Sequence, residues 1–208
     1  HLSRGLGCLN TILSLYPEAE RLQAVRMHDN YGFSVLQRAA STSSGDLECI
    51  KLILSLYPET EHLHVVSTPD NNGSTVLHHA ARSGKFESIS AILKPYPESE
   101  RLRALNMTTR RGDTVLHYAA FSNNIECIKA VLSIYPESER QHALERRTRR
   151  VKAVLDSLEP VTRNSIMEWL SQQSESGRSS EKRSHDSALQ DEEVDVEPLP
   201  EAKRQRSQ

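Results

Sequence analysis

Ser74-Thr75-Val76-Leu77-His78-His79-Ala80-Ala81 and Asp113-Thr114-Val115-Leu116-His117-Tyr118-Ala119-Ala120 are two copies of one pattern, 39 residues apart. In each, Val, Leu and two alanines fall at i, i+1, i+4 and i+5, which makes an apolar stripe on a short helix. The threonine just before the stripe can cap that helix, and the alanine pair lets a neighbouring helix come close. Upstream lies a cluster of turn formers, Asp70-Asn71-Asn72-Gly73, with Thr109-Arg110-Arg111-Gly112 and Asp29-Asn30-Tyr31-Gly32 in the same register. Each cluster ends on a glycine that can take positive φ. Downstream, Ser83-Gly84 breaks the helix, and a second begins near Phe86 with Ile89, Ile92 and Leu93 on its inner face. Two short helices cannot bury their stripe alone, so such units must stack.

The repetition runs through most of the chain. Tyr-Pro-Glu recurs at Tyr16, Tyr57, Tyr96 and Tyr135, in steps of 41, 39 and 39 residues. Val35, Val76, Val115 and Val154 form a second series, and Leu36, Leu77, Leu116 and Leu155 a third. Cys8, Cys49 and Cys127 share one repeat position, where Ser88 stands in the remaining unit. Copies of one position lie about one helix spacing apart, roughly 10 Å, beyond the ~7 Å that a disulfide spans. The cysteines therefore read as reduced, buried small residues, neither a bridge nor a metal site, and a reducing intracellular compartment is expected.

These runs resemble the ankyrin-repeat signature T-P-L-H-x-A, with Gly73 and Gly112 at that family's turn glycine. Ser34-Val35-Leu36-Gln37-Arg38-Ala39-Ala40 is a weaker copy. The resemblance covers about residues 6–147. It departs from the pattern in two ways: Val stands for the family's Pro at the first helical position, and the period is 39 rather than 33. It implies an all-α fold, an ankyrin-repeat solenoid of stacked helix-turn-helix units, and a structural role for His78 and His117 in hydrogen-bonding backbone between units. Gln37 takes their slot in the first intact unit.

The surplus of six residues falls in Tyr96-Pro97-Glu98-Ser99-Glu100-Arg101-Leu102-Arg103-Ala104-Leu105 and its copies. Pro97 suits a first helical position, and Glu98 and Glu100 favour the positive end of a helix. An extra short helix per linker is expected; the alternative is a longer loop. The organisation reads as a partial N-terminal unit over 1–28, repeats over 29–69, 70–108 and 109–147, and degenerate C-terminal capping helices over 148–172. A disordered tail is expected over 173–208. In the cap, Arg149 to Leu158 reads as a helix ended by Pro160. Thr162 is expected to cap a second, with Ile166, Met167, Trp169 and Leu170 inward. The chain opens on His1 and reads as a fragment or processed product that begins inside a repeat, leaving an apolar edge.

Composition agrees with a partly folded chain. Hydrophobic residues make up 37%, below the ~45–50% of globular proteins. The tail, rich in Ser, Glu, Gln, Arg and Lys, has too little apolar surface to order itself. A net charge of −2 gives no global basic field for nucleic acid, and no apolar run reaches the ~18 residues of a membrane span. No nucleophile–base pair, metal-ligand spacing or phosphate loop is present, so no catalytic, cofactor or metal residue is assigned, and the chain reads as a non-enzyme.

Residues that differ between units carry the functional reading. Turn tips and first helices contribute Tyr31, Phe33, Arg38, Asn72, His79, Arg82, Arg110, Arg111, Asp113, Tyr118 and Phe121. The resemblance places these on the concave face where ankyrin partners dock, and Tyr and Arg are frequent interface anchors. The other reading of each is an ordinary solvated surface. The expected function is protein–protein interaction with an unidentified partner protein. The Tyr-Pro-Glu-Ser-Glu-Arg-Leu form and the acidic stretch 191–197 resemble secreted effectors that intracellular bacterial pathogens export through type IV systems, which implies virulence and a host-cell cytoplasm. The alternatives are a eukaryotic ankyrin regulator, with Lys203-Arg204-Gln205-Arg206 as a nuclear import signal, or the non-catalytic part of a larger enzyme. The basic run Arg146 to Lys152 fits either a contact with phosphate or an acidic partner or a solvated turn and helix face.

Overall fold

The alternation of turn clusters and apolar stripes becomes rows of short helices in the computed structural model, which describes residues 4–42, 47–146 and 154–173. The first helices of the units are α3 (Val35–Ser41), α6 (Val76–Ser83), α9 (Val115–Ser122) and α12 (Val154–Ser157). The second helices are α1 (Arg4–Ser14), α4 (Leu47–Ser55), α7 (Phe86–Leu93) and α10 (Ile125–Ser133). The linker helices are α2 (Glu18–Val25), α5 (Glu59–Ser67), α8 (Glu98–Leu105) and α11 (Glu137–Glu145). A last helix, α13, covers 160–173. No strand occurs among the described residues. The contacts divide the chain after Leu170, and the rows of helices belong to the first unit.

First helices pack on first helices, α3 on α6, α6 on α9 and α9 on α12, while α1, α4, α7 and α10 form the parallel row. The leucine series makes the spine between them: Leu36, Leu77 and Leu116 are fully buried, and Leu155 is half-buried at the end. Ala80, Ala81, Ala119 and Ala120 are buried where adjacent first helices meet. Ile89, Ile92 and Leu93 of α7 are buried as expected. Cys49 and Cys127 are buried and no cysteine is in a disulfide, but Cys8 is exposed. Among the described residues its helix α1 packs on one second helix, α4. Ile12 and Leu15 are exposed along the same edge.

Consecutive turns also stack. Asn71 N–H donates to the Tyr31 carbonyl (3.2 Å) and Arg110 N–H to the Asn72 carbonyl (2.8 Å). That approach requires glycine at position 73: its φ is +81°, and a Cβ there would lie 3.2 Å from the Arg110 nitrogen. Left-handed residues also end the first helices, Gly84 at φ 74° and Asn123 at φ 51°, a conformation that Gly and Asn tolerate best.

The linker surplus forms helices, and the Tyr-Pro-Glu motif holds them. Each proline sits one position earlier than expected, at the N-cap. At Pro97, ψ is 145° and the carbonyl accepts Glu100 N–H at 2.9 Å, so Glu98 opens the helix. Arg21 Nε donates to the Leu13 and Tyr16 carbonyls, and Arg140 Nε to those of Leu132 and Tyr135. These bonds satisfy carbonyls that the ends of second helices leave open. His62 Nε2 bonds the Tyr57 carbonyl in the same register. The tyrosines tie units together: Tyr57 OH donates to the Val25 carbonyl (2.8 Å) and Tyr135 OH to Asn106 Oδ1 (3.1 Å).

At the C-terminal end two expectations are corrected. Helix α13 starts at Pro160, and Thr162 is buried inside it instead of capping it. Arg163 N–H donates to the Glu159 carbonyl at 2.9 Å, and proline is well suited to a first helical position, where its missing N–H costs no bond. Ile166 is buried and Trp169 and Leu170 pack on the core, but Met167 is exposed. Positions i, i+3 and i+4 share a helical face, and i+1 lies off it. The beginning of the expected 149–158 helix, all of the basic run except Arg146, and the tail from 174 onward lie outside the described residues.

Candidate partner-binding site

Each unit builds its turn from the first residue of the turn cluster. Asp70 Oδ1 accepts Asn72 N–H (2.7 Å) and Ser74 N–H (2.9 Å). Asp29 Oδ1 does the same for Tyr31 and Phe33, and Thr109 Oγ1 for Arg111 and Asp113. The second carboxylate oxygen then reaches the residue nine positions on, in the first helix. His79 Nε2–H donates to Asp70 Oδ2 at 3.1 Å, and Arg38 Nε to Asp29 Oδ2 at 2.9 Å. The Arg38 guanidinium holds the Asp29 carboxyl below its ordinary range. Threonine 109 has no second oxygen, and there the corresponding residue, Tyr118, places its hydroxyl 3.3 Å from Ser74 Oγ of the preceding unit. One slot, filled by Arg38, His79 and Tyr118, therefore braces the turns.

Beneath it, the signature histidines hold the framework. Thr75 N–H donates to His78 Nδ1 at 3.1 Å, which leaves Nε2–H to donate to the Met107 carbonyl at 3.1 Å. Burial, followed by the neighbouring His79, pulls the His78 pKa down to about 4. Burial also lowers His79, against the opposing pull of Asp70, and lowers His117. The His78 ring is neutral at pH 7. Gln37 reproduces the arrangement: Oε1 accepts Ser34 N–H (2.8 Å), and Nε2 donates to the Thr68 and Ser74 carbonyls (3.1 and 3.2 Å).

Eight of the eleven candidate residues line one cavity of about 410 Å³: Phe33, Arg38, Asn72, His79, Arg82, Arg110, Arg111 and Tyr118. Ser41, Asp70, Ser74 and Thr109 complete its wall. Phe33 lies against His79 with ring centroids 4.7 Å apart, and the Arg38 guanidinium sits 4.1 Å over the Phe33 ring. Phe121 is outside the cavity wall but touches it through Tyr118, 6.1 Å between centroids. Tyr31 is exposed at its turn tip. Two candidates are not surface groups: His79 and Asp113 are buried. His79 is buried because Asp70 draws it under the turn. Asp70 was legible as a turn former but not as the anchor of His79; the signal was the nine-residue offset shared with Asp29 and Arg38.

No group of three metal-ligating side chains occurs among the described residues, nor any helix long and apolar enough to cross a membrane. Stacked pairs of short helices, braced by turns and a capping histidine, define a helical-repeat solenoid. A family model for ankyrin repeats (3 copies) matches residues 36–142, a little over half of the 208 residues, and the chain belongs to that family. A search of curated proteins finds no match. Ankyrin repeats generally mediate protein–protein interaction, and the fold is typically a non-catalytic module.

Proposed function

We propose that this chain is an interaction module whose partner protein docks along the turn tips and first helices of residues 29–147, the concave face of the stack. Its units are taken as 29–69, 70–108 and 109–147, flanked by a partial unit over 1–28 and capping helices over 148–172. The observation that carries the reading is the division of labour among positions. Most residues repeated from unit to unit are buried, as Leu36, Leu77 and Leu116 are in the spine, whereas eight of the eleven that vary gather around one open cavity. A photo-crosslinking phenylalanine at position 121, compared with one at exposed position 87 on α7, tests it. Partner crosslinks are expected from 121; crosslinks from 87 alone overturn the reading. The long-period units and the acidic stretch 191–197 support placing the module among secreted effectors that act in a host cell. Export that is unchanged when residues 191–197 are deleted overturns that placement.

A further inference from the structure

The charges around the cavity do not balance. Both oxygens of Asp70 are engaged, one by the turn amides and the other by His79, and Asp29 holds Arg38. Asp113 is buried. Arg82, Arg110 and Arg111 are exposed and have no carboxylate partner among the described residues. Three guanidinium groups therefore line the groove with no carboxylate paired to them among the described residues. Inside the wall, after burial and against Asp70, Arg38 and Arg82 both depress the proton affinity of His79.

We infer that the groove takes an acidic peptide segment, whose carboxylates pair with Arg82, Arg110 and Arg111 while its intervening apolar side chains rest on Phe33, Tyr118 and Phe121. This rests on the concave-face reading above and adds the partner's chemistry to it. The guanidinium presents a planar fork of donors that matches a carboxylate bidentately. Arg82 comes from the last turn of α6 and Arg110 and Arg111 from the next turn tip. Cations drawn from separate elements suit a run of single charges better than one concentrated dianion. Aromatic rings between them supply apolar surface that an alternating acidic and aliphatic segment would cover.

The test uses the full chain and a fluorescein-labelled decapeptide of alternating Glu and Leu, read by fluorescence anisotropy. Saturable binding is expected, absent for the matching Lys-Leu peptide and weakening as salt rises. Charge reversal at Arg82, Arg110 and Arg111 together (R82E, R110E, R111E) is expected to weaken binding about tenfold or more. Arg103→Glu, on α8, is expected to leave it unchanged. All four side chains are exposed, and unchanged thermal melts verify folding. Equal binding of acidic and basic peptides, or of the triple variant, overturns the proposal. So does binding of a phosphoserine decapeptide without the glutamate one, or equal binding of an oligonucleotide of the same charge. If a partner crosslinks from position 121 and binds the triple variant normally, the concave face stands and its acidic preference falls. If crosslinks come from 87 alone, both fall.

Discussion

Leu77→Ala lowers the unfolding free energy by about 2–5 kcal/mol, the range for deleting a large side chain from a packed interior. Leu77 is fully buried in α6, the central first helix, which packs against α3 on one side and α9 on the other. Neither flanking helix can close the space without giving up its own register on the next unit. In a stack, stability is shared between units and their interfaces, so loss at the central helix weakens two interfaces at once. Against a typical total of ~5–15 kcal/mol, the change is large enough to expose a partly unfolded population. Leu155→Ala, at the half-buried end of the same spine, is expected to have a smaller effect. Urea denaturation followed by circular dichroism measures both. A change under about 1 kcal/mol for Leu77→Ala contradicts the continuous spine.

The second large effect is on pH dependence. The folded chain holds His78 neutral, with a pKa near 4, whereas an unfolded histidine titrates near 6.5. Below pH 6.5 the unfolded chain therefore binds protons that the folded chain refuses. Stability is fully present above that pH and is lost as pH falls towards 4. At ~1.4 kcal/mol per pKa unit, the depression at His78 amounts to about 3 kcal/mol, and His79 and His117 act in the same direction. The chain itself offers the control. Gln37 performs the same capping and bridging with a side chain that does not titrate. His78→Gln is expected to keep most of the stability at pH 7.5 and to flatten the loss between pH 6.5 and 4.5. Denaturation midpoints across that interval check it; an unchanged slope in the variant means that His78 is already open to protonation in the fold.

Much of the fold was legible because its determinants are local and recur. Thr75 before an apolar pair, Gly73 closing a turn and the alanines on the shared face each act within a few residues, and each reappears 39 residues later. The linker helices were legible from Pro97 and Glu98 for the same reason. The misplaced elements lie where that redundancy fades. At the degenerate end, Pro160 starts a helix rather than stopping one, and Met167 faces solvent although its neighbour Ile166 is buried. Cys8 occupies a buried slot by register but is exposed; among the described residues α1 packs beside the one second helix α4.

The candidate site was legible only as a set of variable positions. Side-chain spacing placed Arg38, His79 and Tyr118 on one face, and they do share one. It could not reveal that Asp70 draws His79 beneath the turn, that Asp29 claims Arg38, or that Asp113 turns inward. Those outcomes depend on where a carboxylate oxygen points once the turn has closed.

The chain's own repetition determined the class of fold, the order of turn, helix, helix and linker helix, and the leucine spine, because one brick that cannot bury its stripe has to be laid against its copies. Tertiary structure alone decided which surface charges are spent and which remain. Pairing across nine residues, or across neighbouring units, depends on three-dimensional distance: among the described residues it leaves Arg82, Arg110 and Arg111 without a carboxylate partner, ties the exposed Arg38 to Asp29 and draws His79 beneath the turn.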